Sequence, residues 1–249
     1  MRDFEDSTLW RVSAFERVQH DTGTSGFMRL EGLTMLSTTL TGELQRLERD
    51  PDNNDVLEVL AACLRNREPA LLYLRHEDMV WPVTIFPWHM LYHCPRDFAT
   101  ASAAGMADLK LLGSEAPGVR PPGDWMHERI ARADHYRPLV PMLWAVALYG
   151  PRAALLTEIG GTAAYRALNR EALRELEVPG ALGSALERLR HESAALRSIA
   201  GWPGMSVERA SRLLNALYLA SALLVTHTHP AARTEPGLMR RLLHLGTRH

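Results

Sequence analysis

The chain has 249 residues, 46% of them hydrophobic and 23% charged, and 28 Lys plus Arg nearly balance 29 Asp plus Glu for a formal charge of −1. That length is ample for a buried core in one large domain or two small ones, and the apolar content with so little net charge excludes a disordered chain. Near-neutrality also excludes a whole-molecule pull toward nucleic acid or anionic membranes, leaving that role to local basic faces.

A single lysine, Lys110, accompanies 27 arginines, a bias to which no function is assigned. Two cysteines, Cys63 and Cys94, are too few for a disulfide framework and fit a reducing cytosol, so a cytoplasmic protein is expected. The start, Met1 to Asp6, lacks the apolar core of a signal peptide. The most apolar run, Leu139 to Tyr149, has 11 residues including Pro141, well short of the roughly 20 that a membrane span needs.

In chain order, apolar spacing around Trp10, Phe15 and Val18 predicts a short helical lead-in, and Asp21 to Gly26 is a loop. Positions 33, 36, 40, 44 and 47 carry helical spacing. Asp50 to Asp55 is a turn that caps a helix with Val56, Leu57, Leu60 and Leu64 on one face, ending before Pro69. Ala70–Arg75 and Met79–Phe86, flanking His76-Glu77-Asp78, read as a β-hairpin. Pro82 has no amide hydrogen, which predicts an edge or bulged second strand. Trp88 to Cys94 fits a third strand or a helical turn.

Residues 113–123 are rich in proline and glycine and keep no apolar period, so they are read as a linker between an α+β portion, 1–112, and a helical portion, 124–249. In the latter, Asp124 caps a helix through Trp125, Ile130 and Ala133, and Leu139–Tyr149 is a buried helix closed by Gly150-Pro151. Ala153–Ile159 and Ala163–Leu176 are shorter helices. Leu182, Leu186, Leu189, Ser193, Leu196 and Ala200 predict one long amphipathic helix, broken by Gly201 to Gly204. Ser206 caps another, with Val207, Ala210, Leu214, Leu217, Ser221 and Leu224 on one stripe, and Leu238–Leu245 is a last segment. The expected fold class is α+β, with a small helix–antiparallel sheet portion followed by a mainly helical portion containing a helix-turn-helix-like element.

Candidate chemistry is sparse. His89 and His93 would share one face of a helix and could hold a metal with Cys94, but no glutamate lies between them and Pro87 and Pro95 bracket the stretch. On a strand, Cys94 would point away from His93. His227 and His229 are better read as caps at a helix end. No G-x-S-x-G, G-x-x-x-x-G-K-[ST] or G-x-G-x-x-G motif is present. The element 186–224 would offer Arg209, Arg212 and Asn215 to a DNA groove, although its second helix is largely apolar and Glu187, Glu192 and Glu208 offset its cations. No cofactor is expected.

The run Val56–Phe86, a helix followed by Leu72-Tyr-Leu-Arg-His-Glu-Asp-Met-Val-Trp81, resembles the helix and hairpin of the PatA N-terminal (PATAN) type of bacterial signalling domain. The tail Leu196-Arg-Ser-Ile-Ala200, followed by Arg212-Leu-Leu-Asn-Ala-Leu-Tyr-Leu219, is similar to the winged-helix-like end of those proteins. Glu77-Asp78 stands where such hairpins usually turn on glycine, and no receiver domain is expected within these 249 residues. The resemblance implies a non-catalytic signalling module working through protein contacts, in motility or surface behaviour.

Trp81, Phe86, Trp88 and Tyr92 crowd a short stretch with Pro82, Pro87 and Pro95. As Trp and Tyr are enriched in binding hot spots, these four are the candidate partner-binding residues. The expected function is a regulatory or adaptor protein with a protein partner, for which a second copy of the chain would also serve. The alternatives are a DNA-binding regulator using Arg209, Arg212 and Asn215, and a metal-dependent enzyme using His89, His93 and Cys94.

Overall fold

The computed structural model describes residues 9–22, 36–48, 55–98, 105–124, 133–169, 171–173, 176 and 178–232. The chain divides into two compact units, Met1–Ala153 with Asn215–Ser221, and Ala154–Leu214 with Ala222–His249. Both contain helices and antiparallel strands, so the fold class is α+β.

The first unit begins with the two-residue strand β1 (Trp10–Arg11) and helices α1 (Val12–Thr22), α2 (Thr38–Glu48) and α3 (Val56–Asn66). Asp55 caps α3 by accepting the Leu57 N–H at 2.9 Å, and Arg67 ends it in the left-handed region at φ 55°. Strands β2 (Ala70–His76) and β3 (Met79–Phe86) form the hairpin, and a 3-10 turn, Pro87–His89, leads into β4 (Leu91–His93). The stretch 88–94 is therefore turn and strand in succession. Next come β5 (Lys110–Glu115), β6 (Tyr136–Pro138) and the buried helix α4 (Leu139–Tyr149), which Gly150 closes.

The sheet runs β5-β2-β3-β4-β6, all antiparallel, with β1 also paired to β3. Both faces of β2 and β3 are buried, which is why they read as continuous apolar runs rather than alternating ones. Leu71, Tyr73 and Val80 pack with Phe15 of α1 on one face. Leu72, Leu74, Trp81, Val83 and Ile85 are buried on the other, where Trp81 meets Phe98 edge-on at 5.4 Å.

β3 is not an edge strand. β2 pairs along one side, while β1 takes Met79–Val80 and β4 takes Thr84–Phe86 on the other. Pro82 falls between those two partners, so its missing amide leaves no ladder bond broken there.

Glu77 holds φ 53° in the hairpin turn, where its N–H donates to Asp108 Oδ2 at 2.7 Å. An L side chain is strained in that region and glycine is not. Glu77→Gly, which keeps the backbone donor, is therefore expected to stabilise the protein by about 0.5–1 kcal/mol, read as a rise of about 2 °C in Tm. An unchanged or lower Tm would show that the turn is not strained.

The linker expectation for 113–123 is corrected. Lys110–Glu115 is β5, paired with β2 through a bulge between Tyr73 and Leu74, and Tyr73 donates its hydroxyl to Glu115 Oε2 at 2.8 Å. The first unit then continues through β6 and α4 to Ala153. Proline and glycine here shape a pinned surface segment rather than a tether.

The second portion is not all helical either. Thr157–Ile159 is one 3-10 turn, and where a helix was expected β7 (Ala164–Ala167) is the centre of a three-stranded sheet. The predicted long helix is divided into α5 (Gly180–His191), β8 (Ala194–Ala195) and α6 (Leu196–Ala200). After α7 (Val207–Leu219), Leu224 lies on β9 (Leu223–Thr226) and not on a helical stripe. The order is β8-β7-β9, antiparallel. Tyr165 fills the core and donates to the Ile159 carbonyl at 2.6 Å. Gly204, between α6 and α7, combines φ 72° with a close approach to Ala181 that a Cβ would make 2.8 Å, so only glycine fits.

Residues 125–132 of the predicted helix through Trp125, Ile130 and Ala133, the segment Leu238–Leu245, and parts of the expected 21–26 loop, 30–47 helix and 50–55 turn lie outside the described residues, while Ala133 opens a 3-10 turn, Ala133–His135. Among the described residues no helix is long and apolar enough to cross a membrane.

Candidate functional site

The first unit carries a groove of about 420 Å³, within the usual size range of binding pockets. Its floor is the end of β3 and the 3-10 turn, Phe86 to His89; the sides are Glu68-Pro69 after α3, Leu36-Ser37 before α2, and the segment from Pro117 to Asp124. Local sequence explains the turn. Pro87 suits its first position, and Met90, at φ 49°, ends it by donating its N–H to the Pro87 carbonyl at 3.3 Å. The chain bulges out of the sheet there, and Trp88 projects with 68% of its surface exposed.

Several contacts fix the walls. The Arg67 guanidinium lies 4.8 Å from the Trp88 ring centre, within cation–π range. Glu68 Oε2 accepts the Ser37 N–H at 3.0 Å, joining the α2 and α3 sides. Tyr136 of β6 donates its hydroxyl to the Arg120 carbonyl and lies 6.1 Å from Phe86, so the 117–124 wall is anchored to the sheet. The result is an apolar, proline-rich groove edged by Glu68, Asp124, Arg120 and His89.

Of the four aromatic candidates, the structure leaves only Trp88 on the surface. Trp81, Phe86 and Tyr92 are 8%, 2% and 1% exposed. Being part of a doubly covered sheet, their strands turn both alternating side-chain sets inward. Phe86 still reaches the groove floor. The groove residues that sequence reasoning missed, Glu68, Pro69, Pro117, Arg120 and Pro121, were marked only by their proline density, which had pointed to a linker instead.

His89, His93 and Cys94 do not form a ligand set. His89 is exposed in the turn, His93 is part of β4, and Cys94 is buried on the opposite side of that strand run. Burial pushes the Cys94 thiol up to about 12, and the Cys63 thiol likewise, so neither supplies a thiolate. Among the described residues no three His, Cys, Asp or Glu side chains gather to hold a metal. Tyr92 is also pushed up, by burial and then by Asp97, which accepts its hydroxyl at 3.2 Å. None of these displaced groups lines the groove.

The DNA candidates are not presented together either. Arg209 donates to the Gly204 carbonyl at 2.6 Å, Arg212 pairs with Glu208 at 3.0 Å, and Asn215 is fully buried. On α5, Arg188 pairs with Glu192, and Arg190 with Glu187 at 2.7 Å. The three arginines paired with glutamates, Arg188, Arg190 and Arg212, offer less net positive charge to a phosphate backbone. His227 and His229 follow β9 rather than a helix: His227 donates to the Thr162 carbonyl at 3.0 Å, and His229 Nδ1 accepts the Ala231 N–H at 3.1 Å.

Fold and groove together define an α+β protein with an aromatic-floored surface groove. No family model matches the chain, and no curated protein or solved structure does so either.

Proposed function

We propose that this chain is a non-catalytic regulatory or adaptor protein that docks a partner protein at the Trp88 groove. Bacterial signalling of the kind implied by the resemblance to PatA N-terminal domains, in motility or surface behaviour and within the cytoplasm, is the setting this reading favours. One observation carries it. A tryptophan 68% exposed, on a turn fixed at both ends, stands over an apolar groove. Exposing so large an apolar side chain costs solvation, and burial against a partner recovers it.

The test places a photoreactive residue at position 89 of the full chain and maps the cross-links, with and without Trp88→Ala. A hot-spot tryptophan is worth at least about 2 kcal/mol, so the substitution is expected to weaken the captured partner's binding about thirty-fold. A captured second copy would make the partner the chain itself. Equal binding by both forms, or substrate turnover abolished by single substitutions in the groove, would overturn the reading.

A further inference from the structure

β6 is the outer strand of its sheet and is held to β4 by Leu91↔Pro138, Tyr92↔Arg137 and His93↔Tyr136. Two further backbone bonds flank these pairs: Cys94 N–H to the His135 carbonyl at 3.1 Å, and Leu139 N–H to the Met90 carbonyl at 2.8 Å. The His93 ring lies 4.9 Å from that of Tyr136 and 5.6 Å from that of His135. Its Nε2 is buried and has no hydrogen-bond partner among the described residues.

A neutral imidazole forfeits one hydrogen bond in that position. An imidazolium would bring an unsatisfied N–H and a full charge to the same place, which is far more costly. Among the described residues, the charged groups acting on it, His135 and Arg137, both oppose a positive charge. His135 and Tyr136 face it from the β6 side, Arg137 stands beside them, and the opposed residue on β3 is Thr84. Helix α4, which also packs on β4, has Tyr149 as its one ionisable side chain. Beyond β4 follow Arg96 and Asp97; the Asp97 carboxylate lies 3.8 Å from the Arg137 guanidinium and accepts the Tyr92 hydroxyl.

We propose that His93 is an acid-sensitive latch: β6 stays paired to β4 while this imidazole is neutral, and protonation releases Tyr136–Pro138 from the sheet edge. Burial first, then His135 and Arg137, lowers the His93 pKa from 6.5 to about 4 in the closed strand pair. Once β6 leaves, the ring returns to water and takes a proton in the ordinary range. The open form therefore binds the extra proton. The latch's contribution is fully present above pH 6.5 and is lost progressively as the pH falls from 6.5 toward 4. Tyr136 also anchors Arg120, so release would withdraw one wall of the groove. That consequence rests on the docking role proposed above; the latch itself does not.

The experiment is native-state amide hydrogen exchange on the full chain between pH 7.5 and 5, expressed as protection factors so that the chemistry of exchange is divided out. The Cys94 and Leu139 amides are expected to lose protection about thirty-fold by pH 5, the ratio that pKa values of 6.5 in the open form and about 4 in the closed form impose, while β2–β3 amides do not. His93→Gln and His93→Phe should abolish the loss. The same loss in either variant, or steady protection in the wild type, would overturn the latch. Should neither variant fold, the wild-type ring decides by NMR: His93 titrating near 6.5 while those amides stay protected sinks the proposal. Cross-linking at pH 7.5 tests the groove independently, so the two can fail separately.

Discussion

Replacing Arg152 with alanine is expected to destabilise the first unit by about 3–5 kcal/mol, measured by urea unfolding at pH 7. Arg152 donates through Nη1 to Asp55 Oδ2 and lies 2.9 Å from Glu58 Oε1 through Nη2. The three side chains are only 13%, 12% and 10% exposed, so water cannot take over for a lost partner. The substitution leaves two carboxylates close together in a poorly solvated place, and one of them, Asp55, also caps α3. Because the cost comes from stranded charge and not from lost attraction, Arg152→Met combined with Glu58→Met should be less damaging than Arg152→Ala alone. A loss under about 1 kcal/mol for the single variant would mean that the network is effectively solvated.

Trp81→Ala and Trp88→Ala are expected to part company. Trp81 lies in the sheet core, 8% exposed and packed edge-on against Phe98, so truncation should cost about 3–5 kcal/mol. Trp88 gives up chiefly its contact with Arg67, worth about 0.5–1 kcal/mol at an exposed site. Its loss should leave the unfolding midpoint almost unmoved while partner binding weakens about thirty-fold. Equal destabilisation by the two would refute both the burial pattern and the assignment of Trp88 to docking.

These two tryptophans also show where sequence reading stops. They lie seven residues apart among prolines and aromatics, and by composition they are equivalent. What separates them is that β3 gains a neighbour on each side and cover on both faces, whereas the 3-10 turn after it has neither. Burial in a sheet depends on partners remote in sequence, such as Phe98 and β5, and no local pattern reports them. The same holds for Ala164–Ala167. Four residues, Ala-Tyr-Arg-Ala, carry too little periodicity to tell a central strand from a helix, and pairing with β8 and β9 decides. Ser193, which continued a helical spacing, lies just before β8 instead, because strand pairing to β7 outweighs the local preference.

By itself the sequence determined the elements whose signal is local: the capped helix Val56–Asn66, the hairpin Ala70–Phe86, the buried helix Leu139–Tyr149 and the Gly201–Gly204 break before Ser206. Caps, turns and unbroken apolar runs act over a few residues and are written where they act. Only the tertiary structure decided that the proline-rich 113–123 segment is strand and groove wall, that one aromatic of four faces solvent, and that His93 Nε2 is buried beside Tyr136 with no hydrogen-bond partner among the described residues. Each of those depends on which distant segment arrives alongside, and that is set by the packing of the whole sheet rather than by any stretch of it.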